Sequence, residues 1–172
     1  MEILHGAGEI INNSCMVEVE VEFLERYEGQ PLFHDVLKFM NEKGFDLLYL
    51  NRVFGQRGQI YKGASRGQLI FGDALFGRRE DRLNGLSNVS LVKYVLLLIN
   101  YGHLDFAYHL IILHPDIDME FPMLRRLISA RNNESRFKRL ILSQLDKFIL
   151  LLLHIRTYNQ LPYDSDRSWP VR

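Results

Sequence analysis

Strict alternation marks Cys15 to Phe23: Val17, Val19, Val21 and Phe23 share one side, while Glu18, Glu20 and Glu22 share the other. A period of two predicts a β-strand, and β-branched valines suit a pleated surface. Upstream, residues 2–11 read as one short helix without an N-cap residue. Gly6 and Gly8 each weaken it by roughly 1 kcal/mol relative to alanine. Such a helix is expected to lean on a segment before it. Asn12-Asn13-Ser14 is a turn signal.

After a second turn at Tyr27-Glu-Gly-Gln30, Pro31 stands where a helix accepts proline, in its first turn. Leu32, Phe33, Val36, Leu37 and Met40 form an apolar stripe, and Gly44 suits the C-terminal cap. Phe45 to Phe54 is a second strand. Gly55, Gly58, Gly63 and Gly67 punctuate a basic loop, and Gln68 to Phe76 is a third strand, apolar on both sides. The order α-β-α-β-β predicts a piece of an α/β sheet.

The second half changes period. Ser87 or Asn88 caps a helix from Val89 to Asn100, Gly102 ends it, and Leu104 to Leu113 runs until Pro115. Its corner is faintly similar to tetratricopeptide-type corners, but no second copy follows 34 residues later, which argues against a solenoid. Pro122 opens a helix to about Ala130. Ser135 to Tyr158 predicts a long one, with Leu140, Ile141, Leu145, Phe148, Ile149 and Leu152 on one face, expected to pack on the hairpin.

Charge sharpens this division. The 172 residues are neutral overall, yet 1–77 carry a net −4 and 78–172 a net +4. The expected units are residues 1–79, a helical extension over 86–160, and a loose tail over 161–172. Apolar residues make up 47%, enough for a core rather than wholesale disorder. One cysteine, Cys15, excludes an internal disulfide and fits a reducing compartment, so a cytoplasmic location is expected. No signal peptide pattern opens the chain, and the apolar run Phe148–Leu153 is too short for a transmembrane segment.

Several segments together carry a resemblance. Glu2-Ile-Leu-His-Gly-Ala7 is similar to the E-x-L-x-G-A helix of FkbM-type methyltransferases, which use S-adenosylmethionine. Val19-Glu-Val-Glu-Phe23, with Tyr27, Gly29, Gln30 and Phe33, resembles that family's next strand and turn. Gly44-Phe45 and Gly67-Gln-Leu-Ile-Phe-Gly-Asp-Ala-Leu-Phe76 match later elements in the same order. The resemblance covers residues 1–79. It implies the C-terminal portion of a Rossmann-like methyltransferase sheet, its strands in the order 5-7-6 with the last strand antiparallel, followed by the all-helical extension. The family's glycine-rich donor loop, its acidic ribose-binding residue and the K-I-D-x-E-G strand end have no counterpart here. The chain is therefore expected to start within a domain and to bind no S-adenosylmethionine alone.

Candidate chemistry is weighed against plainer roles. Glu18, Glu20 and Glu22 stand about 7 Å apart along one face. The resemblance favours Glu20 and Glu22 as catalytic, positioning an acceptor hydroxyl or acting as general base at the carboxyl end of the strand. The plain alternative is a solvated sheet face. Tyr27 and Gln30 are substrate-binding candidates that also serve a turn. Asp73, set among apolar neighbours, needs a partner such as Arg52 or Arg66, and a substrate contact is its other role.

The six histidines have no metal-ligand spacing, so no metal is expected. Asp116-x-Asp118-x-Glu120 reads as a polar connector, and Cys15 as a buried structural thiol. Arg125, Arg126, Arg131, Arg136, Lys138 and Arg139 form a basic cluster. It is either a solvated helix face or an anion-attracting one, and without interleaved aromatics it gives no expectation of nucleic acid.

The resemblance implies an O-methyltransferase fragment with a glycan or small-molecule hydroxyl acceptor. The alternative is a non-enzymatic remnant or a helical interaction module, with oligomerisation through the extension.

Overall fold

A computed structural model describes residues 2–55, 57, 67–84, 86–131 and 133. They fall into two compact units, the first ending at Leu86 and the second starting at Ser87.

The first unit is mixed α/β. Helices α1 (Glu2–Gly6) and α2 (Gly8–Asn13) precede strand β1 (Met16–Glu22). The single helix expected over 2–11 is thus broken at Ala7, where ψ reaches 13°, between two glycines that add no side-chain packing. Hydrogen bonds from Ala7 N to Ile3 O and from Ile11 N to Ala7 O, both 2.9 Å, carry the chain across the break. The expected turn at Asn12 and Asn13 is still helical, and Ser14 is the cap.

Helix α3 (Phe33–Glu42) begins two residues after Pro31, not around it. The reason lies in its cap: Leu32 N donates to the Asp35 carboxylate at 2.9 Å, which fixes Leu32 as the residue before the first turn. Gly44 follows the C-terminus at φ 82°, a left-handed conformation that favours glycine, and leads into β2 (Phe45–Gly55). Strand β3 (Gln68–Arg78) then runs antiparallel to both other strands, and the sheet order is β1-β3-β2. Residues 56 and 58–66, which hold the glycine-rich loop and Arg66, lie outside the described residues.

One face of the sheet carries the core. Val21, Ala74, Phe76 and Phe45 are buried against Leu4, Ile11, Val36, Phe39 and Met40 of the helices, with Val17, Val19, Leu47 and Leu50 packed around them. Arg78 locks α2 to this face. Its guanidinium donates to Ser14 O (2.8 Å), Ile11 O (3.0 Å) and Asn12 O, and stands 4.8 Å from the centre of the Phe45 ring. The C-terminal carbonyls of α2 are thereby satisfied by a buried cation.

The second unit is helical. Ser87 Oγ accepts from Ser90 N at 3.2 Å and caps α4 (Asn88–Tyr101), which Gly102 ends at φ 85°. Helix α5 (Leu104–Leu113) packs back on α4 through Leu91, Tyr94, Val95, Leu98, Ala107, Leu110 and Ile111, all buried. The polar connector expected at Asp116–Glu120 is in fact α6 (Pro115–Glu120), opened by Pro115 and anchored by buried Ile117. Residues 123–131 form a further helix. The helix expected over Ser135–Tyr158 and the tail lie outside the described residues. No described helix is long and apolar enough to cross a membrane.

Candidate functional site

The register builds a polar row across the sheet face opposite the helices. Glu20 stands across from Asp73, and Asp73 across from Asn51. Asn51 Nδ2 donates to Asp73 Oδ2 at 3.1 Å. Asn51 is only 5% exposed, so its amide is committed to this row. The partner seen for Asp73 is therefore Asn51, and the expectation of Arg52 is corrected. Arg52 sits opposite Gly72, one position along β2, so alternation sends its side chain to the other face.

Glu22 lies one row nearer the carboxyl end of β1, across from Phe71, which in turn faces Val53. Its Oε2 is buried and has no hydrogen-bond partner among the described residues, a costly state for a carboxylate oxygen. Glu18 occupies the third row, with Leu75 and Tyr49.

Tyr27 and Gln30 are not part of this face. They sit in the loop between β1 and α3, where Gln30 N bonds Tyr27 O at 3.0 Å and Gln30 Oε1 accepts from Arg26 N at 2.9 Å. Tyr27 is 75% exposed. Gln30 lines an open groove of about 670 Å³ with His5, Glu25, Leu32, Lys38 and Phe39, where the His5 ring meets Phe39 edge-on at 4.8 Å. The structure thus brings Glu20, Glu22 and Asp73 to one sheet face and places Gln30 in a separate groove beyond the end of β1. Asn51 is the residue that the sequence reading missed, because an asparagine inside a β-rich run gives no signal until register shows what it faces.

No described glycine-rich turn joins a strand to a helix N-terminus, and the N-terminus of α3 is filled by its own Asp35. Among the described residues, no three of His, Cys, Asp and Glu are grouped to hold a metal ion. Cys15, expected to be buried, is only half-buried. Arg125 of the basic cluster is engaged by Asp118 at 2.7 Å and lies over the Tyr108 ring, while residues 136, 138 and 139 lie outside the described residues. No family model, curated protein or solved structure matches the chain.

Proposed function

We propose that residues 1–79 are the acceptor-side portion of an FkbM-type, S-adenosylmethionine-dependent O-methyltransferase, with strands numbered 5-7-6 in the full sheet. The observation that supports it best is the sheet itself: a last strand inserted antiparallel between two strands joined by a helix. That is the arrangement the resemblance implies.

On this reading the acceptor hydroxyl of a glycan or another small molecule approaches the carboxyl end of β1. Glu22 Oε2, buried and without a partner among the described residues, accepts its hydrogen bond and can take its proton. Glu20 and Asp73 flank it, with Asn51 holding Asp73 in place. Holding the oxygen in one orientation is the main contribution such a surface can make to a transfer reaction. Gln30 and Tyr27 are the loop candidates for the remainder of the acceptor. Donor binding belongs to elements other than those described here.

The test is the DNA immediately upstream of the Met1 codon. An in-frame glycine-rich loop followed by K-I-D-x-E-G supports the enzyme, and a frame without them contradicts it. A second reading, a helical interaction module, draws on the exposed Leu96, Leu97, Ile112 and Leu113 of the α4–α5 hairpin. A strictly monomeric chain with no capture through that hairpin would count against it.

A further inference from the structure

We propose that the groove between α1, the β1–α3 loop and α3 binds the free amino terminus of a peptide whose first side chain is apolar. Glu25 holds the α-ammonium, the Gln30 amide holds the first carbonyl oxygen, and Pro31, Leu32 and Phe39 receive the side chain. This rests on the groove alone and does not depend on the methyltransferase reading.

The loop end of the groove is held in shape by its own side chains. Glu25 Oε1 accepts from Gly29 N at 2.9 Å, and Gln30 Oε1 accepts from Arg26 N at 2.9 Å. Gly29 adopts φ 73°, so both side chains are tied back onto one tight turn. Because a backbone N–H holds the Gln30 oxygen, the amide NH2 is its free end. Glu25 likewise keeps Oε2. Neither side chain has a further bond or ion pair among the described residues, and none of the residues lining the groove draws one from elsewhere. The turn therefore presents a fixed donor and a fixed charged acceptor. An α-ammonium with a carbonyl on the next carbon is the complementary pair.

Charge selects a cation over an anion. The carboxylates of Glu25, Asp35 and Glu42 line the groove against the one ammonium of Lys38, so an anion is repelled while the imidazoles are neutral. The N-terminus of α3 does not attract one either, because Asp35 already accepts from Leu32 N. Lys38 lies three residues after Asp35 and four before Glu42 on the same helix face, so it offsets those two carboxylates. Asp35 is also engaged by His34 at 3.4 Å. Glu25 is left as the uncompensated charge. Beside it the wall is apolar: Phe39 is buried with the His5 ring edge-on against it, and Pro31 and Leu32 are half-buried. A volume of about 670 Å³ suits a small ligand and exceeds one side chain, so the second and third residues of the peptide also fit.

The experiment titrates the isotope-labelled 172-residue chain with four probes. They are leucyl-alanyl-alanine amide, its N-acetylated form, glycyl-alanyl-alanine amide, and isopentylamine, which keeps the ammonium and the apolar body but has no carbonyl. Backbone amide signals of Gly29, Gln30 and Phe39 in the magnetic resonance spectrum report on the groove. The free leucyl peptide is expected to bind and move these signals, and each other probe is expected to bind at least about fivefold more weakly. Glu25→Gln keeps an oxygen for Gly29 N but removes the charge, and should erase the preference for the free over the acetylated peptide. Gln30→Glu keeps an oxygen for Arg26 N but removes the donor, and should erase the preference for the leucyl peptide over the amine. Circular dichroism confirms that both variants fold. The proposal is overturned if any other probe binds as tightly as the free leucyl peptide, if either variant keeps the parental preferences, or if no probe moves these signals.

Discussion

Asn51 donates its side-chain amide to Asp73 across β2 and β3, at 3.1 Å. The sequence places Asp73 among apolar neighbours and demands a partner for it, and the structure supplies a neutral one. Replacing Asn51 with leucine leaves a carboxylate oxygen in a half-buried row without its donor. The expected loss is about 1–3 kcal/mol of unfolding free energy. A double-mutant cycle with Asp73→Asn, read by urea denaturation, checks it. Additive effects of the two changes would contradict the coupling.

Arg78 binds α2 to the sheet through three backbone carbonyls at the end of that helix and lies over the face of Phe45. Arg78→Met keeps most of the stem but removes every donor. The C-terminal carbonyls of α2 then lose their buried partner, at an expected cost of about 3 kcal/mol. Helix α2 should also exchange its amides faster. A variant with parental stability and exchange would show that the guanidinium is not what holds α2.

Two glycines offer a matched contrast. A Cβ at Gly72 would land on the Asn51 carbonyl oxygen, which is backbone and fixed in the ladder. A Cβ at Gly55 would meet only the end of the Ile70 side chain, which can rotate away. Gly72→Ala should therefore cost about 1–3 kcal/mol and Gly55→Ala less than about 1 kcal/mol. Equal melting temperatures for the two variants would refute the close approach.

The alternation of Val17 to Phe23 and the apolar runs of Phe45 to Phe54 and Gln68 to Phe76 were enough to read three strands, whereas the order β1-β3-β2 seen in the structure was expected only from the family resemblance, not from the pattern. Helix ends were legible where glycine or serine marks them, at Gly102 and Ser87. What escaped had one physical cause: it depended on partners distant in the chain. Arg78 reads as the end of a strand until α2 is folded beneath it, 64 residues away from Ser14. Asn51 reads as an ordinary strand residue until register sets it beside Asp73. The start of α3 was misread because proline is common in a first turn, while Asp35 bonding back to Leu32 N settles the cap.

In the helical unit, His103 lies at the α4–α5 corner with its Nε2 buried and without a partner among the described residues. Burial lowers its pKa from the ordinary 6.5, with Asp105 opposing in part. The unfolded chain therefore takes up the proton first as pH falls. This contribution to stability is intact above about pH 6.5, declines below it, and levels off once the folded ring is also protonated. His103→Gln should remove that part of the decline. Urea denaturation of both forms at about pH 7.5 and pH 5 tests it, and an unchanged pH dependence in the variant would contradict it.

The most direct measurement compares two chains by calorimetric titration with S-adenosylmethionine: the 172-residue chain, and the same chain extended by the coding sequence in frame upstream of Met1. If residues 1–79 are the acceptor side of a methyltransferase whose donor site is built by other elements, the extended chain binds at micromolar concentration and the 172-residue chain gives no heat of binding. Micromolar binding by the 172-residue chain, or none by the extended one, would contradict the account.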